Sequence, residues 1–182
     1  MILGRKYVVS IKSFLFPLLF QVTITINLRI IMIKEMTVAD IPQILDLRFK
    51  MLEENQADKH LAPDWREVST KYYKEMYEQN KGIHFGYYED DKLVGIAGGF
   101  IRDDFPFIAL NCRNYGWILD VFVESLFRKK GIAKTLTESV IKWFKMNGVT
   151  FIKLDASRFA RKLYEDMGFV QTGEMRLVIS GD

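Results

Sequence analysis

The chain has 182 residues, 49% of them hydrophobic and 14% aromatic, which is enough for one globular domain with a core and too little for two. One cysteine excludes an internal disulfide, and the wide separation of the two histidines, His60 and His84, argues against a zinc cluster. Four of the 26 basic residues and none of the 23 acidic residues lie in residues 1–31, so the remainder is nearly neutral. This charge balance predicts no nucleic-acid partner. The cysteine and histidine content predicts no metal, and the single cysteine fits a reducing, cytoplasmic location.

Residues 1–31 differ from the rest of the chain. A basic start precedes the apolar run Phe14–Phe20, as in a signal peptide or a weak membrane anchor. The uncharged stretch after Lys12 is short for a membrane span, Pro17 interrupts it, and no clear cleavage site follows. We predict an N-terminal extension outside the fold and a single domain over residues 32–182, with membrane association disfavoured. A targeting segment, or an extra strand or helix docked on the domain, is the open alternative.

Hydrophobic periodicity predicts the elements of the first half of the domain. Thr37 and Asp40 form a near capping box, after which apolar residues recur at helical spacing. A polar turn between two apolar runs indicates a hairpin. In chain order the predicted elements are a strand at Ile30–Lys34, a helix from Ile41 to about Leu52, a helix at Trp65–Gln79, and hairpin strands at His84–Tyr88 and Leu93–Ile101.

The second half alternates strands and helices. Asn147 and Gly148 offer a left-handed exit for one helix, and Gly168 for the next. The predicted elements are a long loop or bent strand at Arg102–Asn114, a central strand at Tyr115–Val123, a helix at Ile132–Met146, a strand at Val149–Leu154, a last helix capped by Ser157, and a final strand or strands within Phe169–Ile179. This order predicts an α+β fold with one twisted sheet and helices on its faces.

The segment Arg128–Ala133 joins the central strand to the following helix. The first turn of a helix leaves N–H groups unpaired at the positive end of the helix dipole, and Gly131 and Ala133 let an anion come close. A P-loop would need glycines where Arg128 and Ala133 stand, and a dinucleotide fingerprint would need more than one glycine. The segment therefore predicts an anion cradle, and an ordinary basic loop is the alternative.

A second motif lies downstream. Arg128, Gly131 and Ala133 match the pattern [Gln/Arg]-x-x-Gly-x-[Gly/Ala], and Ala160, Leu163, Tyr164, Gly168 and Phe169 follow at the spacing Ala-x-x-Leu-Tyr-x-x-x-Gly-Phe. With both motifs in this order, residues 32–182 resemble the GNAT superfamily of acetyl-CoA-dependent N-acetyltransferases. Ser157 stands where many members carry Asn.

The resemblance implies a mixed, mostly antiparallel sheet with a central splayed pair of strands, Trp117–Val123 and Phe151–Leu154. Acetyl-CoA would enter between them, and no metal would be required. The main-chain groups of the central strand would hold the pantetheine arm, and the amides of the cradle would bind the pyrophosphate. The cofactor-binding residues implied in this way are Val121, Phe122, Val123, Arg128, Lys129, Lys130, Gly131, Ile132, Ala133 and Ser157.

Two residues are candidates for catalysis. The resemblance places Tyr164 near the cofactor sulfur as general acid, and a phenol near pKa 10 can protonate a thiolate without being ionised at neutral pH. Asp120, an acid within an apolar strand, is the candidate base or amine anchor. A core position for Tyr164 is the structural alternative. Asp120 could instead face solvent or pair with a lysine, and a bulge could change its face.

The expected activity is transfer of an acetyl group to a primary amine of a small molecule or peptide, by direct attack in a ternary complex. An acyl-CoA-binding sensor or regulatory domain without catalysis is the alternative. A rim of Glu53, Glu54, Asp103, Asp104 and Asp120 would favour a cationic acceptor, with Trp65, Phe105, Phe107 and Trp117 shaping a pocket. A homodimer is possible, and the sequence does not decide it.

Overall fold

The computed structural model describes residues 8–10, 23–25, 30–107, 112–173 and 175. The strands are β1 (Val8–Ser10), β2 (Thr23–Thr25), β3 (Ile31–Glu35), β4 (Gly82–Glu89), β5 (Lys92–Phe107), β6 (Cys112–Val123) and β7 (Ile152–Leu154). The helices are α1 (Ile41–Glu54), α2 (Trp65–Glu78), α3 (Ile132–Met146) and α4 (Arg161–Asp166). Short 3-10 turns occupy Val38–Asp40, Asp58–His60 and Ser125–Phe127.

Five strands form one sheet in the order β3-β4-β5-β6-β7. Its neighbours are antiparallel except β6 and β7, which run parallel. The mixed, mostly antiparallel sheet confirms the predicted fold class. Among the described residues, β1 and β2 pair with each other in a separate two-stranded sheet. The division between an N-terminal extension and the domain stays a prediction.

Helices cover the two faces of the sheet with two hydrophobic cores. On one face α1 and α2 bury Ile44, Leu45 and Tyr73 against Phe100 and Phe122 of the sheet. On the other face α3 buries its apolar stripe, including Leu136, Val140 and Phe144, against Ile118 and Val123. Since burial of apolar area is the main favourable term in folding, these two interfaces hold the sheet between the helices.

Local signals set most helix boundaries. The Asp40 carboxylate accepts hydrogen bonds from the Thr37 N–H (2.8 Å) and hydroxyl (2.9 Å), so the predicted capping interaction is present. α3 has the predicted bounds, and Gly148 and Gly168 adopt the left-handed conformation just after α3 and α4. The Ser157 cap is wrong, because α4 begins at Arg161 with Ala160 at its N-cap. Ser157 instead offers its carbonyl to the N–H of Ala160 and Arg161.

Of the two alternatives predicted for Arg102–Asn114, a long loop or a bent strand, the strand is largely confirmed, since β5 continues to Phe107 with a register shift after Asp103 and β6 begins at Cys112. The strand predicted within Phe169–Ile179 lies largely outside the described residues, and residues 169–173 contain no strand. β7 is only three residues long and pairs with β6 from Gly116 to Ile118. β6 runs on to Val123, whereas β7 ends at Leu154 opposite Ile118, so the last five residues of β6 have no β7 partner.

Candidate active site

The segment predicted to be an anion cradle lies at the start of α3, with Gly131 at the N-cap. Lys129 (φ 61°) and Gly131 (φ 80°) take left-handed conformations, which turn the chain sharply into the helix. Thr135 is the first residue of α3 whose main-chain N–H donates to a carbonyl, that of Gly131. Within the described chain no acceptor contacts the amides of Lys129 to Ala133. No heavy atom lies within 4 Å of the position that a Cβ on Gly131 would take. This open set of donors fits a pyrophosphate.

Arg128 is bound to the protein itself. Its Nε donates to the carbonyl of Val123 at 2.7 Å, and its NH2 group contacts both carboxylate oxygens of Glu54 at 2.8 and 2.6 Å. Its main-chain N–H donates to Ser125 at 3.3 Å. Of the six predicted phosphate-binding residues, Arg128 therefore offers neither its amide nor its ion-paired NH2 group, and it ties the cradle to the end of β6 and to α1.

The next cradle residues contribute differently. Lys129 and Lys130 are exposed, and the Lys130 Nζ lies 4.0 Å from the Glu89 carboxylate. The Ile132 side chain is buried in the core under α3, so only its amide can face a ligand. Ser157 is exposed in the turn between β7 and α4. The predicted cradle is thus a set of main-chain groups flanked by two exposed lysine side chains, with Ser157 on a separate turn.

Beyond Ile118 the edge of β6 that faces β7 lacks a strand partner in the described part of the chain. Phe122 pairs with Ile96 of β5, and the N–H of Glu124 donates to Val94. Because main-chain groups alternate in direction along an antiparallel pair, those of Val121 and Val123 point to the opposite, open edge. The predicted set of three is therefore split, and the groups of Phe122 are taken by β5.

Tyr164 lies on α4 with its side chain largely buried and its ring 5.7 Å from that of Phe169. Its hydroxyl has no hydrogen-bond partner among the described residues. In the described chain every fully buried side-chain oxygen has a hydrogen-bond partner. The unpartnered Tyr164 hydroxyl therefore keeps some solvent-accessible surface. Tyr164 lines a cavity of about 590 Å³, together with Trp117 of β6 and Leu154 of β7. Burial raises the pKa of Tyr164 to about 12, so the phenol stays protonated at neutral pH.

Asp120 is fully buried, with 0% of its side chain exposed. Arg48 of α1 contacts one carboxylate oxygen, and Tyr73 of α2 and His84 of β4 contact the other, with His84 Nε2 at 3.0 Å. The Tyr77 hydroxyl lies 2.7 Å from His84 Nδ1. If His84 carries its proton on Nε2, it donates to Asp120 and accepts from Tyr77, so every polar atom is satisfied.

The charge state of Asp120 follows from these contacts. Burial alone raises the pKa of a carboxyl group, but the hydrogen bond from His84 and the charge of Arg48 outweigh it, so the pKa of Asp120 lies below its ordinary value. A buried carboxylate with a lowered pKa and occupied oxygens is a weak proton acceptor. Neither of the two structural alternatives, a solvent-facing residue or a lysine pair, describes it.

Sequence reasoning missed Arg48, Tyr73 and His84 as members of this site. Each lies on a different element, and the sequence separations from Asp120 run from 36 to 72 residues. One signal was present, because a histidine within the apolar strand β4 needs a polar partner. Gly98 supplies the room, since a Cβ there would collide with the imidazole of His84.

The predicted acidic rim is largely neutralised. Glu54 pairs with Arg128, Asp103 with Lys81 (2.9 Å), Asp104 with Lys153 (3.3 Å) and Asp120 with Arg48. Trp117 stacks under Arg102, and Trp65 stacks on Phe49. The side chains of Phe105 and Phe107 lie outside the described set. These pairings remove most of the reason for expecting a cationic acceptor.

No group of three or more metal-binding side chains comes together among the described residues. Among the helices that the structure describes, none has the length and apolar character needed to cross a membrane.

The family model described as Acetyltransferase (GNAT) family matches residues 49–169, about two thirds of the chain, including both motifs. The chain therefore belongs to the GNAT acetyltransferase family. N-acetyltransferase 8 of Homo sapiens is 29% identical over 121 residues, a match that covers 64% of this chain and 49% of the relative. The chain thus spans about half the length of this curated relative.

Solved structures agree with the fold. A GCN5-related N-acetyltransferase from Ralstonia eutropha JMP134 matches with a TM-score of 0.76 and 20% identity, over 83% of this chain and 99% of that one. A protein named a predicted acetyltransferase from Clostridium acetobutylicum, solved with acetyl-CoA, matches with a TM-score of 0.74 and 21% identity, over 82% and 96%. At these identities the likeness establishes the fold.

Proposed function

We propose that this chain is an N-acetyltransferase that moves the acetyl group of acetyl-CoA to a primary amine of a small molecule or peptide, by direct attack in a ternary complex. The observation that carries the proposal is the continuity of two sets of open main-chain groups. The unpaired amides of the cradle, up to Ala133, follow the open edge of β6 after a short turn. A long ligand with a phosphate end and an amide-bearing arm matches that arrangement.

The residues of the chain divide the binding work. The amides from Lys129 to Ala133 would accept the pyrophosphate oxygens at the positive end of α3, with the two lysines adding charge. The main-chain groups of Val121 and the N–H of Val123 would take the amides of the pantetheine arm. The carbonyl of Val123 is already held by Arg128, which fixes the direction of this edge.

The chemistry needs one proton donor. The amine lone pair forms a C–N bond with the thioester carbon, the C–S bond breaks, and the departing thiolate takes a proton. Tyr164 is the proposed donor, because its hydroxyl stays protonated at neutral pH and the residue lines the cavity that is also bounded by β7 and by Trp117 of β6. The proton released by the amine passes to solvent, and Tyr164 regains its own proton from solvent.

The acceptor is proposed only as an amine. Because the rim acids are paired, a screen should include neutral and acidic amines as well as polyamines, aminoglycosides and basic peptides. Soluble, cytoplasmic action is compatible with the proposal and is not required by it.

Acetyl-CoA binding by calorimetry to the full chain tests the proposal, with Gly131→Leu beside Gly148→Leu. Both glycines are left-handed (φ 80° and 73°), both have open space at the Cβ position, and they lie at opposite ends of α3. The backbone strain of the two variants is therefore matched, and only Gly131→Leu fills the cradle. We expect wild type and Gly148→Leu to bind and Gly131→Leu not to bind. Equal binding by the two variants would overturn the cradle, and binding without turnover on any amine would favour a sensor.

A further inference from the structure

β6 contains one extra residue relative to β5. Ile96 of β5 pairs with Phe122, and Gly98 pairs with Leu119, so two steps along β5 face three steps along β6. The difference is a β-bulge between Leu119 and Phe122. Asp120 sits in it with φ 54°, a left-handed conformation that side chains other than Gly, Asn and Asp rarely adopt.

The bulge reverses the direction of every residue after it. Leu119 packs in the core under α1 and α2, Asp120 meets groups of α1 and α2 on the same face, and Val121 packs in the core under α3. Without the extra residue, Val121 would stand opposite Ile96, and its main-chain groups would point to β5. The open edge of β6 that the proposed function assigns to acetyl-CoA therefore exists because of the bulge.

The carboxylate at the bulge is held from three sides. Arg48 comes from α1, Tyr73 from α2 and His84 from β4, while Asp120 itself belongs to β6. Asp120 and His84 have no exposed side-chain surface, so an acceptor amine has no direct route to the carboxylate. These contacts fix the position of the bulge relative to both helices and to the neighbouring part of the sheet.

We infer that Asp120 is a positioning residue, whose carboxylate is bound by Arg48, Tyr73 and His84, holds the β6 bulge in place and thereby aims the main-chain groups of Val121 and the N–H of Val123 at the acetyl-CoA arm. The inference rests on the proposed function. It replaces the role of base for this residue, and it assigns roles to three side chains that do not touch the reacting atoms.

The test compares Asp120→Asn with Asp120→Ala. Asn tolerates the left-handed conformation and keeps an oxygen for Arg48, whereas Ala does neither. A misplaced arm should lower kcat by about 100-fold in Asp120→Ala and also weaken acetyl-CoA binding, whereas Asp120→Asn should recover most of both. The pH profile of the residual kcat should keep the wild-type shape in both variants. The readouts are calorimetry with acetyl-CoA and CoA release with the amine that gives turnover in the screen.

Two further variants keep the test decisive. Asp46→Asn is the matched control, because Asp46 is an exposed acid of α1 paired with Arg66, and it should leave both readouts unchanged. If Asp120→Ala does not fold, Arg48→Lys takes its place, since it keeps the charge but changes the geometry of the grip. Equal loss of kcat in Asn and Ala, with unchanged acetyl-CoA binding and a missing limb in the pH profile, would make Asp120 a base and overturn the inference. Failure of wild type to bind acetyl-CoA would instead overturn the proposed function.

Discussion

The two ends of the segment Asp120–Ala133 differ in whether their polar groups have hydrogen-bond partners. At the Asp120 end, both carboxylate oxygens are occupied, and the side chain is closed off from solvent. At the Ala133 end, successive amides have no acceptor in the described chain, as is expected of the exposed first turn of a helix. A buried charge whose hydrogen bonds are all made indicates a structural role, whereas a row of unpaired donors at the surface is available to a ligand. The contrast supports the two proposals, that the cradle binds acetyl-CoA and that the buried acid holds the strand before it in place.

Among the substitutions that test these roles, the largest effect on activity is expected at Tyr164. Tyr164→Phe removes the proposed proton donor, so kcat should fall by about 100- to 10,000-fold while acetyl-CoA binding stays the same. Initial rates and calorimetry on one preparation measure both. If Phe supports wild-type turnover, the hydroxyl has no part in proton transfer and Tyr164 is a core residue.

Arg48→Met tests whether the buried network around Asp120 stabilises the fold. Removing one partner of a buried ion pair leaves Asp120 uncompensated, so the free energy of unfolding should drop by about 3 kcal/mol. Arg66→Met is the control, because its pair with Asp46 is exposed and should contribute less than about 1 kcal/mol. Urea unfolding followed by circular dichroism gives both values. Similar losses in the two variants would mean that the Asp120 network does not stabilise the fold more than a surface pair does.

The pH dependence of stability should follow the lowered pKa of Asp120. Its folded-state pKa lies below the unfolded value of about 3.9, so its stabilisation is complete above that value and is lost as pH falls through the folded pKa. The gap in unfolding free energy between wild type and Asp120→Asn should therefore be constant from pH 7 to 5 and shrink below about pH 4. Unfolding curves at several pH values measure the gap. A gap that grows on acidification contradicts the assignment of an ionised Asp120.

The smallest effect on acetyl-CoA binding is expected from the ion pair of Glu54 with Arg128, which connects α1 to the cradle. Glu54→Gln weakens the contact of α1 with Arg128, and since both partners are part-exposed, acetyl-CoA affinity should fall by less than about fivefold. Glu53→Gln is the neighbouring control and should leave affinity unchanged. Calorimetry at low and high salt checks the result, because the difference should narrow as salt screens the pair. Tighter binding by Glu54→Gln would mean that Arg128, once released, prefers the phosphates.

The sequence predicted what depends on local order. Apolar periodicity and a left-handed exit at Gly148 are properties of neighbouring residues, and α3 has its predicted bounds. The capping contact of Thr37 and Asp40 is equally local. The prediction that Ser157 caps α4 was wrong because residues 157–160 form a turn before the helix, and Ala160 takes the N-cap position.

The buried network escaped prediction for a different reason. Asp120 was singled out correctly as unusual, but alternation along a strand predicts its face only when the register is unbroken. One extra residue near Asp120 changes that face, and no local signal in an apolar run marks where a bulge falls. Arg48 and His84 reach Asp120 through the packing of α1 and β4, which only the assembled sheet defines.

The close fit of His84 over Gly98 links two positions that are distant in the chain. A side chain at 98 and an imidazole at 84 cannot occupy the same space, so the two positions should vary together among related chains. A relative that carries alanine or a larger residue at the position of Gly98 should have a smaller side chain in place of His84. Such a relative would then need another donor for the acid in its bulge, or no acid there at all.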